Sequence, residues 1–149
     1  EAQQAAGIPR DAICGIIPVS GAALDLTDRR SYEIAEDFDY YGARFGPRGE
    51  SFGELPPNGP PAQWQIDASV LPLVDSNAPP FLVMHAGGDY PALIRQAELL
   101  VAALKSADVS TEYVVVPGKS HARIIPTLSR DDQTAGPAML RFVRGLSCG

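Results

Sequence analysis

The sequence predicts an α/β fold, a parallel sheet of about three strands with crossover helices. Two observations carry that expectation. The apolar runs Ile13–Val19, Phe81–His85 and Glu112–Val116 are short and nearly continuous, as in strands buried on both faces. Helical periodicity lies between the last two runs and again after the third. Strand, helix, strand, helix in succession is the pattern of parallel strands joined by right-handed crossovers.

The elements follow in chain order. Residues 1–9 read as the tail of a helix that ends at Gly7, with Pro9 as a stop. Ile13–Val19 is the first strand, bounded by Asp11 and by Ser20-Gly21. Residues 22–79 are irregular. They contain an acidic, aromatic stretch from Tyr32 to Tyr41, then a Gly/Pro-rich segment from Gly42 to Pro61, and a short helix or turn over 64–74. A segment this long without strong periodicity is often a lid or binding loop. The expectation is therefore one domain over residues 1–149 carrying a lid-like insertion at 22–79.

After Pro79-Pro80 the pattern sharpens. Phe81–His85 is a strand and Gly87-Gly88 a tight turn. Pro91 then stands at a helix start, where its fixed φ is tolerated. Leu93, Ala97, Leu100, Val101 and Leu104 fall on one helical face. Glu112–Val116 is the next strand. A closing helix runs from about Asp132 to Arg144, with Met139, Leu140, Phe142 and Val143 as candidate packing residues.

Composition narrows the function classes. A formal charge of -6, with no basic cluster beyond Arg29-Arg30, argues against nucleic acid or an anionic membrane as partner. No apolar stretch approaches the length of a membrane span. The first residues lack the basic-then-apolar pattern of a targeting signal, so localisation is unassigned. Cys14, inside an apolar run, reads as a small buried hydrophobe, and Cys148 as a mobile residue near the end. Two distant cysteines and two histidines offer no metal-ligand spacing, so no metal site is expected.

The residues that carry chemistry are Asp89 and His121, each a few positions beyond a strand. In open parallel sheets, ligands gather at the carboxyl ends of the strands. A histidine there can take a proton from a nucleophile while a carboxylate holds its tautomer and stabilises the imidazolium. The competing readings are structural. Asp89 stands where it could cap the helix that starts at Pro91, and a histidine after Pro117-Gly118 could be an exposed loop residue. His85, at a strand end, reads as a sheet-end hydrogen-bonding residue rather than a base. The nucleophile is missing: no Gly-x-Ser-x-Gly elbow occurs in the 149 residues.

Five segments together resemble the C-terminal half of an α/β-hydrolase of the esterase/lipase type, similar to bacterial carboxylesterases and feruloyl-esterase-like enzymes. They are Gly15-Ile16-Ile17-Pro18-Val19-Ser20-Gly21, Pro79-Pro80-Phe81-Leu82-Val83, Gly88-Asp89-Tyr90-Pro91 with Gln96-Ala97-Glu98, Pro117-Gly118-Lys119-Ser120-His121, and Asp131-Asp132 with Leu140-Arg141-Phe142. The resemblance covers residues 12–143. It implies Asp89 as triad acid and His121 as general base, with the glycine-rich oxyanion loop and the serine elbow preceding residue 1. Ser20 is the best substitute nucleophile within the chain, but it lacks the elbow's paired glycines and the resemblance assigns it a structural role. Ala86-Gly87-Gly88 departs from the family, where a polar or acidic residue is common, and leaves Asp89 as the one carboxylate of its loop.

The expected function is thus the C-terminal portion of a serine hydrolase cleaving small carboxylic esters, with no cofactor. Tyr40, Tyr41 and Trp64, together with Phe45, are candidates for lining the substrate pocket, against a reading as internal packing of the insertion. Two alternatives remain: a non-catalytic, hydrolase-derived binding or assembly module, and an amidase or peptidase of the same fold. An unpaired sheet edge at the first strand would favour self-association, or pairing with the missing N-terminal half.

Overall fold

The computed structural model describes residues 7, 9, 12–22, 24–35, 60–128 and 133–147. Five helices and two strands are defined within them: α1 (Arg29–Glu33), α2 (Gln63–Ala68), β1 (Phe81–Gly88), α3 (Pro91–Ser106), β2 (Thr111–Ser120), α4 (His121–Ile124) and α5 (Ala135–Gly145), with a 3-10 turn at Leu71–Leu73.

β1 and β2 pair in parallel, Phe81 opposite Thr111 through Ala86 opposite Val116. On the other side of β1, Ile16 and Val19 form parallel bridges to Phe81 and Met84. The amides of Ile16 and Ser20 donate to Pro80 and Met84, and the carbonyls of Ile16 and Pro18 accept from Leu82 and Met84. The expected first strand is therefore present as an extended, partly paired segment, and β1 is central. That position explains its composition. Residues 81–86 are all buried because neighbours cover both edges and helices cover both faces.

Side chains alternate across β1, and the core divides accordingly. Leu82, Met84 and Ala86 join Val116, Ile124, Ala135, Ala138 and Phe142 on the α5 side. Phe81 and Val83 join Ala97, Leu100, Val101, Leu104 and Val109 on the α3 side. All five apolar positions that periodicity assigns to α3 are buried.

α3 begins with Pro91 in its first turn and ends in a Schellman arrangement. The Val109 amide reaches the Leu104 carbonyl at 2.9 Å and the Asp108 amide reaches Lys105 at 3.1 Å. Asp108 takes the left-handed conformation this requires, φ +56°, which Asp tolerates better than most residues. Val109 and Leu104 share the same core cluster, the apolar contact that accompanies this cap.

Two expectations are corrected. In α5 the buried face is Ala135, Ala138 and Phe142, with Met139 packed beside it. Leu140 and Val143 are 58% and 55% exposed. Successive helical residues diverge by about 100°, so four clustered apolar residues cannot share one face. Ala135, Ala138 and Phe142 share one cluster with Leu82, Met84 and Ala86 of β1. Cys14 is disulfide-bonded rather than a free small hydrophobe. The chain's other cysteine, Cys148, lies outside the described residues.

The described parts of the 22–79 segment are bound to α3 by polar side chains. Gln96, fully buried, accepts from the Asp25 amide at 2.6 Å and donates to the Asp25 carbonyl at 2.9 Å and the Ser31 hydroxyl at 2.8 Å. Asp28 caps α1 by accepting from the Ser31 amide, and Arg95 grips both its oxygens at 2.6 and 2.7 Å. Burial alone would raise the Asp28 pKa, but the bonds from Arg95 and Ser31 hold it below the ordinary value. Gln65 donates to the Leu26 carbonyl and to the Tyr32 hydroxyl, joining α2 to the same unit. Burial pushes the Tyr32 phenol up to about 12, with the Gln65 bond opposing and the Asp25 and Asp28 carboxylates adding.

Candidate active site

Sheet register brings the two sequence-predicted site residues together. After a bulge between Ala86 and Gly88, Gly88 lies opposite Ser120, so the next residues, Asp89 and His121, emerge side by side from adjacent strand ends. The approach is close: a Cβ on Gly88 would stand 3.1 Å from the Lys119 carbonyl oxygen. Glycine at 88 lets the acid loop press against the histidine loop.

Asp89 has a side chain that is 0% exposed, and its Oδ1 accepts from His121 Nδ1 at 2.9 Å. A carboxylate accepts, so Nδ1 carries the proton and the tautomer is set. The same Oδ1 accepts from the Tyr90 amide at 2.9 Å. Oδ2 accepts from the Ser20 hydroxyl at 2.5 Å, with the Ala86 amide more distant at 3.4 Å. Asp89 is not the cap of α3. That position belongs to Tyr90, with no side-chain cap bond.

The His121 imidazole is 43% exposed, and its Nε2 has no hydrogen-bond partner among the described residues. The Tyr90 ring lies against it, centroids 5.5 Å apart and tilted by 51°. Both rings border a cavity of about 310 Å³ that Val19, Ser20, Ala22, Ala35, Leu93 and Ile125 also line. Its walls are largely apolar and hold no Asp, Glu, Lys or Arg side chain among the described residues. A buried carboxylate, an imidazole with a fixed tautomer and a largely apolar pocket beside the outer nitrogen are the parts that general acid–base chemistry requires.

The remaining candidates lie elsewhere. Trp64 is half-buried in α2 and packs on the cluster of Leu26, Ala92 and Leu93, behind the cavity wall rather than in its lining. Tyr40, Tyr41 and Phe45 lie outside the described residues. His85 is buried, with Nδ1 donating to the Ala86 carbonyl at 2.8 Å and Nε2 accepting from the Tyr113 hydroxyl at 2.7 Å. With both nitrogens engaged it is a sheet-end hydrogen-bonding residue. Burial, with Glu98 nearby, raises the Tyr113 pKa and keeps that hydroxyl a donor. No group of three or more metal-ligating side chains occurs among the described residues.

Sequence reasoning missed two residues that matter here. Ser20 carries two readings in the sequence, substitute nucleophile and structural serine, and neither names Asp89 as its partner. Tyr90 enters the sequence reading only as part of the acid-loop segment, with no role of its own, yet its ring lies against the imidazole. A serine directly after a buried strand was the available signal for the first. For the second there was none.

Comparison with known proteins places this geometry in context. Residues 32–143 match the family model described as the prolyl oligopeptidase family. Among solved structures, the acetyl ester-xyloside bifunctional hydrolase of Caldicellulosiruptor lactoaceticus aligns with 79% of this chain at 19% identity and a TM-score of 0.53. The acylaminoacyl peptidase of Pyrococcus horikoshii aligns with 78% at 18% identity and a TM-score of 0.56. The chain spans 37% of the first and 17% of the second. No curated protein sequence matches it.

Proposed function

The chain belongs to the prolyl oligopeptidase family, and from that membership and its partial α/β-hydrolase fold we propose that it supplies the acid and base of a serine hydrolase acting on carboxylic esters. The observation that supports this most is the 2.9 Å bond from His121 Nδ1 to the buried Asp89.

In this reading a serine hydroxyl reaches the site from a segment outside these 149 residues. The even-numbered residues from Ile16 to Ser20 direct their backbone bonds toward β1. Gly15, Ile17 and Val19 point theirs the other way and have no backbone partner among the described residues. A further parallel strand can pair there, and its carboxyl end would lie beside the cavity. His121 Nε2 takes the serine proton as the oxygen attacks the substrate carbonyl, and the resulting imidazolium is held by Asp89. The imidazolium returns that proton to the leaving alcohol as the carbonyl–oxygen bond breaks. Water repeats the cycle to release the acid and restore the serine. The apolar cavity beside His121 suits an uncharged group on either side of the scissile bond.

The family's name favours one second reading, hydrolysis of a peptide amide by the same steps with an amine leaving. Matched p-nitrophenyl ester and p-nitroanilide substrates separate the two. In the protein that joins this chain to its serine-bearing segment, His121→Ala should lower kcat/KM by about 10⁴-fold or more. Turnover within about tenfold of the parent would sink the assignment.

A further inference from the structure

We propose that Ser20 is a positioning residue for the Asp89–His121 pair, its hydroxyl locking the carboxylate in the orientation that holds the imidazole. This rests on the reading of that pair as catalytic acid and base. Ser20 immediately follows the last bridge of the 16–19 segment, is 7% exposed and anchors its amide on the Met84 carbonyl at 2.8 Å. Its φ is +48°, the left-handed region that favours glycine. A buried non-glycine residue held there costs on the order of 1–2 kcal/mol, and such residues cluster at functional sites.

The hydroxyl gives the reason. Asp89 can rotate about its Cβ–Cγ bond, and each oxygen must find donors in a site closed to water. Oδ1 has the Tyr90 amide and His121. Oδ2 has Ser20 at 2.5 Å and otherwise only the Ala86 amide at 3.4 Å. Without Ser20 the carboxylate keeps no short bond on Oδ2, and its plane is held through Oδ1 alone. The plane that points an oxygen squarely at Nδ1 is then no longer fixed at both ends. The same contact removes Ser20 as nucleophile, since its proton is committed to Asp89 and not to the imidazole.

Left-handed φ supplies the test, because glycine accepts that backbone and alanine does not. Ser20→Gly and Ser20→Ala both delete the hydroxyl, and only the second adds backbone cost. In the protein that carries the serine-bearing segment the His121 Nδ1–H should give a far-downfield proton resonance in NMR spectra, the signature of donation to a carboxylate. That resonance should be lost or exchange-broadened in both variants. Ser20→Gly should melt no lower than Ser20→Ala. In the protein supplied with its serine, kcat should fall by about 10²-fold in both with KM little changed.

A role confined to backbone shape predicts instead that Ser20→Gly keeps the resonance and the turnover, and that result overturns the proposal. Loss as deep as in His121→Ala, with no acyl-enzyme formed elsewhere, would make Ser20 the nucleophile and equally overturn it. A parent chain without the resonance overturns the Asp89–His121 pair itself, and Ser20's role with it.

Discussion

Replacing Gln96 with leucine should cost this chain a large share of its stability although the side chains are close in size. Gln96 is 0% exposed and works as a peptide mimic. Its Oε1 takes the Asp25 amide, and its Nε2 serves the Asp25 carbonyl and the Ser31 hydroxyl. Ser31 retains its bond to Asp28 Oδ2, so its loss counts little. The two Asp25 backbone groups are stranded in a half-buried position, at roughly 1–2 kcal/mol each, or about 2–4 kcal/mol together. For a chain of this size that corresponds to a fall in Tm of about 4–16 °C. Thermal unfolding followed by circular dichroism reads it directly. Gln96→Glu sharpens the test. It keeps the bond from the Asp25 amide but sets a carboxylate against the Asp25 carbonyl. Burial raises that new carboxyl's pKa, so the variant should be more stable below the ordinary Glu range and lose stability as pH rises through the raised value. A Gln96→Leu protein melting within about 2 °C of the parent would show that the polar tie between α3 and the insertion contributes nothing.

Three further outcomes are expected. Asp28 has a folded pKa below its ordinary value, so the stability it contributes is complete above about pH 3.9 and is lost as pH falls through the lowered value. Asp28→Asn should flatten that part of an acid-unfolding profile, and an unchanged profile would count against the Arg95 contact. Gly136→Ala should destabilise the chain even though alanine favours helix by about 1 kcal/mol, because the new Cβ would stand 2.9 Å from the Leu128 carbonyl oxygen. A higher urea midpoint would refute the clash. Finally, the edge formed by Gly15, Ile17 and Val19 should drive the isolated chain to associate. Light scattering reporting a monodisperse, stable monomer would contradict this.

Much of the fold was legible in local pattern. Phe81–His85 reads as a buried strand because β1 is central and needs no polar face. The spacing from Leu93 to Leu104 reads as a helix because α3 lays one face on the sheet. Asp89 and His121 could be singled out because strand ends are visible in sequence, and ligands collect there. The α5 face was misjudged for the complementary reason. Its sequence shows four apolar residues in a cluster, while the buried stripe depends on which face turns toward β1.

Sequence alone thus determined the order of strands and helices, the two strand ends where the candidate site residues stand, and the absence of a serine elbow in these 149 residues. The elements follow from the continuous apolar runs of the buried strands and the 3.6-residue period of the helices, which each carries within itself. Tertiary structure alone decided which oxygen of Asp89 faces His121 and that Ser20 holds the other. It also decided that Gln96 ties the segment around Asp25 and Ser31 to α3 and that Cys14 is bonded. Those contacts join residues 69 and 71 positions apart in the Ser20 and Gln96 cases. No local period encodes them, because they exist only once the sheet register has set separate elements side by side.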